Sequence, residues 1–124
     1  MNDKVYTFKK RNIFDPVQML NETVELGEEW AENKTAYELL KDYEATLKSE
    51  IFESLKNKGN NTTSADKLIA KDKKYLNHLS EKNFALKKFL KSQVRYEAKK
   101  KLDDLEQTDE VNKRHEMKMS RYQT

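Results

Sequence analysis

The sequence predicts an all-α protein: an elongated, coiled-coil-like antiparallel two-helix hairpin that assembles into a helical bundle. Three observations predict it. Apolar residues recur at spacings of three, four or seven over two stretches of roughly 40 residues, the period of an amphipathic helix. The 124 residues include two Gly and one Pro, too little turn chemistry for a sandwich, a barrel or a doubly wound sheet. Hydrophobic residues make up 35% of the chain and charged residues 38%, short of core-forming side chains and rich in helix-surface ones.

Residues 1–14 form a basic tail with aromatics, in which Tyr6, Phe8, Ile13 and Phe14 are candidates to dock on the body or on a partner. Asp15-Pro16-Val17-Gln18 then starts a helix. Asp15 accepts from free backbone N–H groups, Pro16 loses nothing at a position whose N–H has no partner, and Gln18 can complete a capping box. The first helix is expected over residues 16–57, with a weak point at Gly27, because Gly in a helix costs about 1 kcal/mol relative to Ala. Its expected stripe is Val17, Leu20, Val24, Ala31, Tyr37, Leu40, Leu47, Ile51 and Leu55.

The break falls at 58–63, Lys58-Gly59-Asn60-Asn61-Thr62-Thr63, where Gly59 suits the left-handed position after a helix end. Thr63 and Asp66 match a cap pattern for a short helix over 64–71. Asp72 caps a second long helix over 73–107, with Leu76, Leu79, Leu86, Leu90, Val94, Ala98, Leu102 and Leu105 as its stripe. The polar residues 108–124 read as a fraying end or a disordered tail.

A turn centred near residue 60 makes facing residue numbers add to about 120, with Val24 near Tyr96, Trp30 near Leu90 and Ile51 near Ile69. Charge supports that alignment. Residues 15–57 carry 11 acidic and 4 basic side chains, and residues 63–107 carry 7 acidic and 12 basic ones. Opposite charges on two helices select the antiparallel partner.

Several aromatics lie off the stripes. Trp30, Tyr43, Phe52, Phe84 and Phe89 either widen the hairpin's own seam or form an oligomer or partner contact. A homo-oligomer, two hairpins in a four-helix bundle, is the simplest case.

The composition excludes much chemistry. Zero Cys removes disulfides, thiolate zinc sites and cysteine nucleophiles. His78 and His115 have no neighbour at metal-ligand spacing, so no metal and no cofactor is expected. There is no glycine-rich phosphate loop and no nucleophile elbow, so no catalytic residues, no enzyme and no small-molecule substrate are expected. No apolar run approaches the ~20 residues of a membrane span, and no apolar leader follows Met1, so a cytoplasmic protein without membrane contact is expected.

One pattern points to nucleic acid. Lys88, Lys91, Arg95 and Lys99 follow i, i+3, i+7, i+11 and share a helix face, with Tyr96 interleaved. Such a stripe can track phosphates while the aromatic stacks a base of single-stranded DNA. The same cations can instead balance the acidic first helix, and the net charge of +3 is small for a dedicated DNA binder.

From about Leu26 to Met117 the chain resembles a family of small phage-encoded helical-hairpin proteins. The resemblance rests on Tyr37, Tyr43, Leu47 and Ile51 in the first helix and on the turn Lys58-Gly59-Asn60-Asn61-Thr62-Thr63-Ser64-Ala65. It continues through the restart Lys71-Asp72-Lys73-Lys74-Tyr75 with Leu79, and through the late Gln93-Val94-Arg95-Tyr96-Glu97. It implies an accessory role among early phage genes for DNA recombination and replication, with a protein partner from that machinery, in the host cytoplasm. Small secreted Trp-x-Gly hairpins do not fit, because Trp30-Ala31-Glu32 falls inside the first helix. Two further roles remain open: a scaffold or assembly chaperone built from bundled hairpins, and an effector that inhibits a host protein through the N-terminal aromatics.

Overall fold

The structure is a computed structural model that describes residues 15–121; the tail candidates Tyr6, Phe8, Ile13 and Phe14 lie outside the described residues. It is all-α, with α1 over Pro16–Asn57, α2 over Thr62–Ile69 and α3 over Lys73–Arg121. The order is that of the predicted hairpin: long helix, turn with a short helix, long helix.

The caps explain the boundaries. One carboxylate oxygen of Asp15 accepts from the backbone N–H of Val17 and of Gln18, each at 3.1 Å. At the far end of α1, Gly59 takes φ 96°, Gly59 N–H donates to Lys56 O at 3.0 Å, and Asn60 N–H donates to Leu55 O at 3.3 Å. This pair of bonds closes a Schellman motif, which needs a residue that tolerates the left-handed region. Asp72 Oδ1 accepts from Lys74 N–H at 2.8 Å and from Tyr75 N–H at 3.4 Å, starting α3 as expected.

Both ends of α2, at Thr62–Ile69 and not 64–71, and the end of α3 differ from the expectation. The cap of α2 is Asn61, not Thr63, because Asn61 Oδ1 takes the Ser64 N–H at 2.8 Å and the helix begins two residues earlier. The polar segment expected to fray continues instead as helix to Arg121. No Gly or Pro interrupts it, and it carries i,i+4 ion pairs, Lys113–Asp109 at 3.2 Å and Arg114–Glu110 at 3.8 Å. Such pairs support a helix without any apolar face.

The described residues divide into two compact units, residues 30–91 and residues 15–29 with 92–121. In the unit 30–91, the second part of α1 runs antiparallel to the first part of α3. Tyr37 stacks on Phe89 with centroids 6.0 Å apart, and Asn33 Nδ2 donates to Lys88 O at 3.5 Å. Glu44 meets Lys82 at 2.8 Å, and Tyr43 meets His78 edge-on at 6.0 Å. Leu47, Ile51 and Ala65 form its buried apolar core. In the unit of residues 15–29 and 92–121, Met19 and Leu26 are buried, Glu29 faces Arg95, and Thr23 faces Asp103. In both units the facing residue numbers scatter around or slightly above the predicted 120.

The rotation of α3 differs from the expected stripe. Leu76, Leu90, Val94, Ala98 and Leu105 are exposed, while Leu79, Leu86 and Leu102 are half-buried. The side chains turned inward instead repeat every seven residues: Tyr75, Lys82, Phe89, Tyr96 and Asp103 in one row, and His78, Ala85, Ser92 and Lys99 in the next. On α1, Val17, Leu20, Val24 and Ala31 are exposed, whereas Leu47 and Ile51 are buried and Tyr37, Leu40 and Leu55 half-buried. One cause is local. A Cβ placed on Gly27 would come within 3.2 Å of Tyr96 Cε2, so the missing side chain gives the Tyr96 ring its seat. That seat turns Val94 and Ala98 outward.

Candidate interaction surfaces

The four cations of the predicted stripe have different surroundings. Lys88 is exposed, with its ammonium 5.7 Å from the Phe84 ring centre. Lys91 is half-buried. Arg95 is half-buried and pairs with Glu29 at 3.7 Å. Lys99 is 1% exposed. Its ammonium donates to Asp103, to Thr23 Oγ1 at 3.3 Å and to Met19 O at 3.5 Å, with Glu22 at 3.8 Å. Thr23 in turn donates to Asp103. A buried ammonium needs such a shell, since an unpaired charge in the interior is strongly disfavoured.

Lys99 is therefore corrected from a phosphate contact to a seam residue. Tyr96, the stacking candidate, lies half-buried against Gly27 with Lys100 5.4 Å from its ring centre. The i, i+3, i+7, i+11 pattern put these residues on one face correctly. The spacing alone does not show that the face borders the seam, because a cation on it can be solvated or paired across the helices.

The aromatic candidates separate in the same way. Phe89 serves the hairpin's own packing through Tyr37. Trp30 and Phe52 are half-buried, with Lys56 5.7 Å from the Phe52 ring centre. Tyr43 and Phe84 remain 45% and 47% exposed. Tyr43 donates its hydroxyl to Glu50 at 3.4 Å.

Sequence reasoning missed two features. The Lys82 ammonium donates to Glu44 at 2.8 Å. That bond holds the Glu44 carboxyl below its ordinary value of 4.5 against the opposing effect of desolvation, and it raises Lys82 above 10.5. The spacing of the pair, 38 residues apart, becomes visible only once the register is known. The second feature is His78, buried in the seam with no hydrogen-bond partner for Nε2 among the described residues.

Among the described residues no group of three or more His, Asp or Glu side chains could hold a metal ion. No helix among them is long and apolar enough to cross a membrane. No family model, curated protein or solved structure matches this chain.

Proposed function

We propose that this chain is a non-catalytic interaction protein that works by docking its outer helix faces on other helices, as an assembly module or adaptor. One observation carries the reading. Among the described residues, fourteen large apolar side chains are exposed, against five buried hydrophobic ones. On α1 the exposed set includes Val17, Leu20 and Val24, spaced i, i+3, i+7. On α3 it includes Val94 and Leu105, spaced i, i+11 and so on one face. Isolated exposed apolar residues are ordinary, but helical stripes of them are interaction surfaces. A second copy of the chain is the simplest occupant, giving a bundle of hairpins. The resemblance to phage hairpin proteins fits an adaptor of DNA recombination or replication equally well, with the partner drawn from that machinery.

The test is solution mass by light scattering for the wild type and for Leu20→Asp/Val24→Asp. Both side chains are exposed, so the variant keeps its helices by circular dichroism. An assembly in the wild type that dissociates in the variant supports the proposal. A wild type that stays monomeric and captures no partner through these faces ends it.

A further inference from the structure

The hairpin end formed by the close of α1, all of α2 and the start of α3 carries a charge concentration that the docking faces do not explain. Residues 56–74 hold six lysines, Lys56, Lys58, Lys67, Lys71, Lys73 and Lys74, against Asp66 and Asp72. The segment's net charge of four exceeds the +3 of the entire chain. All six lysines are exposed. The tight turns hold them together: Lys56 Nζ lies 3.4 Å from Thr62 Oγ1, and Lys71 N–H donates to Leu68 O at 3.1 Å. A seventh cation, Lys48, lies 5.3 Å from the Tyr75 ring centre at the same end.

Among the described residues this charge has no carboxylate partner in contact. None of the six lysines has a carboxylate within 4.0 Å among the described residues, and the Asp72 carboxylate is taken by the Lys74 and Tyr75 N–H groups. Lys73 and Lys74 occupy the first turn of α3, beside its Asp72 cap.

We infer that this lysine-rich end binds the phosphate backbone of a nucleic acid without reading its sequence. Phosphate contacts supply sequence-independent affinity, and Lys, Thr and Asn are among the side chains that make them. Thr62 and Thr63 stand exposed between the lysines. A lipid surface fits less well, since Leu68, at 38% exposure, is the one large exposed apolar side chain between 56 and 74. The inference is independent of the docking faces and replaces the α3 stripe, which is partly consumed by the seam, as the nucleic-acid contact.

The full-length chain is titrated against labelled oligothymidine and a mixed-sequence duplex by fluorescence anisotropy, over a salt series. Binding is expected in low salt, and it weakens steeply as salt rises. Lys67→Gln/Lys71→Gln/Lys74→Gln, whose helix content is checked by circular dichroism, is expected to weaken low-salt binding at least about tenfold and to lower the log–log salt slope by roughly two to three. Lys88→Gln/Lys91→Gln is expected to leave both nearly unchanged. The inference is overturned if the wild type binds neither probe in low salt, if the triple variant binds as wild type, or if the loss appears only in the Lys88/Lys91 variant. Retention on phosphatidylserine vesicles without oligonucleotide binding overturns it in favour of a membrane surface. Solution mass is read separately, so failure here leaves the docking proposal intact.

Discussion

The two units each contain a lysine paired with a carboxylate beside the line where α1 meets α3, and the two pairs differ in burial. Lys99 and Asp103 have side chains 1% and 13% exposed, and the ammonium also reaches Thr23 and the Met19 carbonyl. Lys82 and Glu44 are 20% and 23% exposed, at the margin of a seam whose centre is Leu47 and Ile51. The comparison teaches that one residue pairing can be a structural necessity in one place and a minor contribution in another. A buried pair is obligatory because either partner alone is an uncompensated charge, not because the pair is a strong source of stability. A partly exposed pair is close to dispensable, because water replaces the lost partner.

The largest expected effect breaks the buried side of this comparison. Asp103→Ala leaves the Lys99 ammonium in the seam with Glu22, at 3.8 Å and on a side chain 39% exposed, as its nearest carboxylate. Denaturant unfolding is expected to show a loss of about 3–5 kcal/mol, towards the lower end because of Glu22. The double change Lys99→Met/Asp103→Leu removes both charges and keeps the volume. It is expected to lie within about 1 kcal/mol of wild type or to be more stable. A double variant as damaged as the single one would mean that the shell of Thr23 and Met19, and not charge compensation, holds the helices.

These residues also show how far the sequence could be read. The helix starts at Asp15 and Asp72 and the break at Gly59 were legible because capping is local: a few side-chain and backbone bonds set it. The antiparallel register was legible from the turn and from the acidic and basic halves. The rotation of α3 was not. An aliphatic stripe at Leu76, Leu90, Val94 and Leu105 competes with an aromatic and polar row at 75, 82, 89 and 96, and hydrophobicity alone favours the wrong row. The choice depends on contacts such as Tyr96 in the space left by Gly27, which exist only between helices. Lys99 leaves the candidate stripe for the same reason, since it belongs to the row that turns inward. The lysines of 56–74 were visible in the sequence together with the short helix between them, and the bonds that close the turns are what gather them into a surface.

Gly27 sharpens the comparison from the packing side. Replacing Gly by Ala in a helix gains about 1 kcal/mol of propensity, and here the new Cβ meets Tyr96 Cε2 at 3.2 Å. A larger β-branched side chain cannot avoid the ring. Gly27→Val is expected to destabilise by about 1–3 kcal/mol through overpacking, read as a lower thermal midpoint with helix content retained. A stabilised Gly27→Val would show that the Tyr96 seat does not set the rotation of α3.

The smallest effect belongs to the half-buried pair of Glu44 and Lys82, and its sign with pH is fixed by the direction of the two shifts. The hydrogen bond from Lys82 lowers the Glu44 carboxyl in the folded state. The stability this contributes is complete above the ordinary carboxylate value of 4.5 and is lost as pH falls through the lowered folded value. The same bond raises Lys82, so its contribution is complete below 10.5 and is lost as pH rises through the raised value. Between these limits Glu44→Gln is expected to cost no more than about 1 kcal/mol, and less as salt rises. In acid, below the folded value of Glu44, wild type and Glu44→Gln are expected to converge, because both then carry a neutral side chain at that position. Unfolding curves of the two proteins at neutral pH and in acid measure this directly. A gap that persists undiminished in acid would mean that Glu44 acts through packing against Lys82 and not through its charge, and the contrast with Lys99 would then rest on burial of side-chain volume alone.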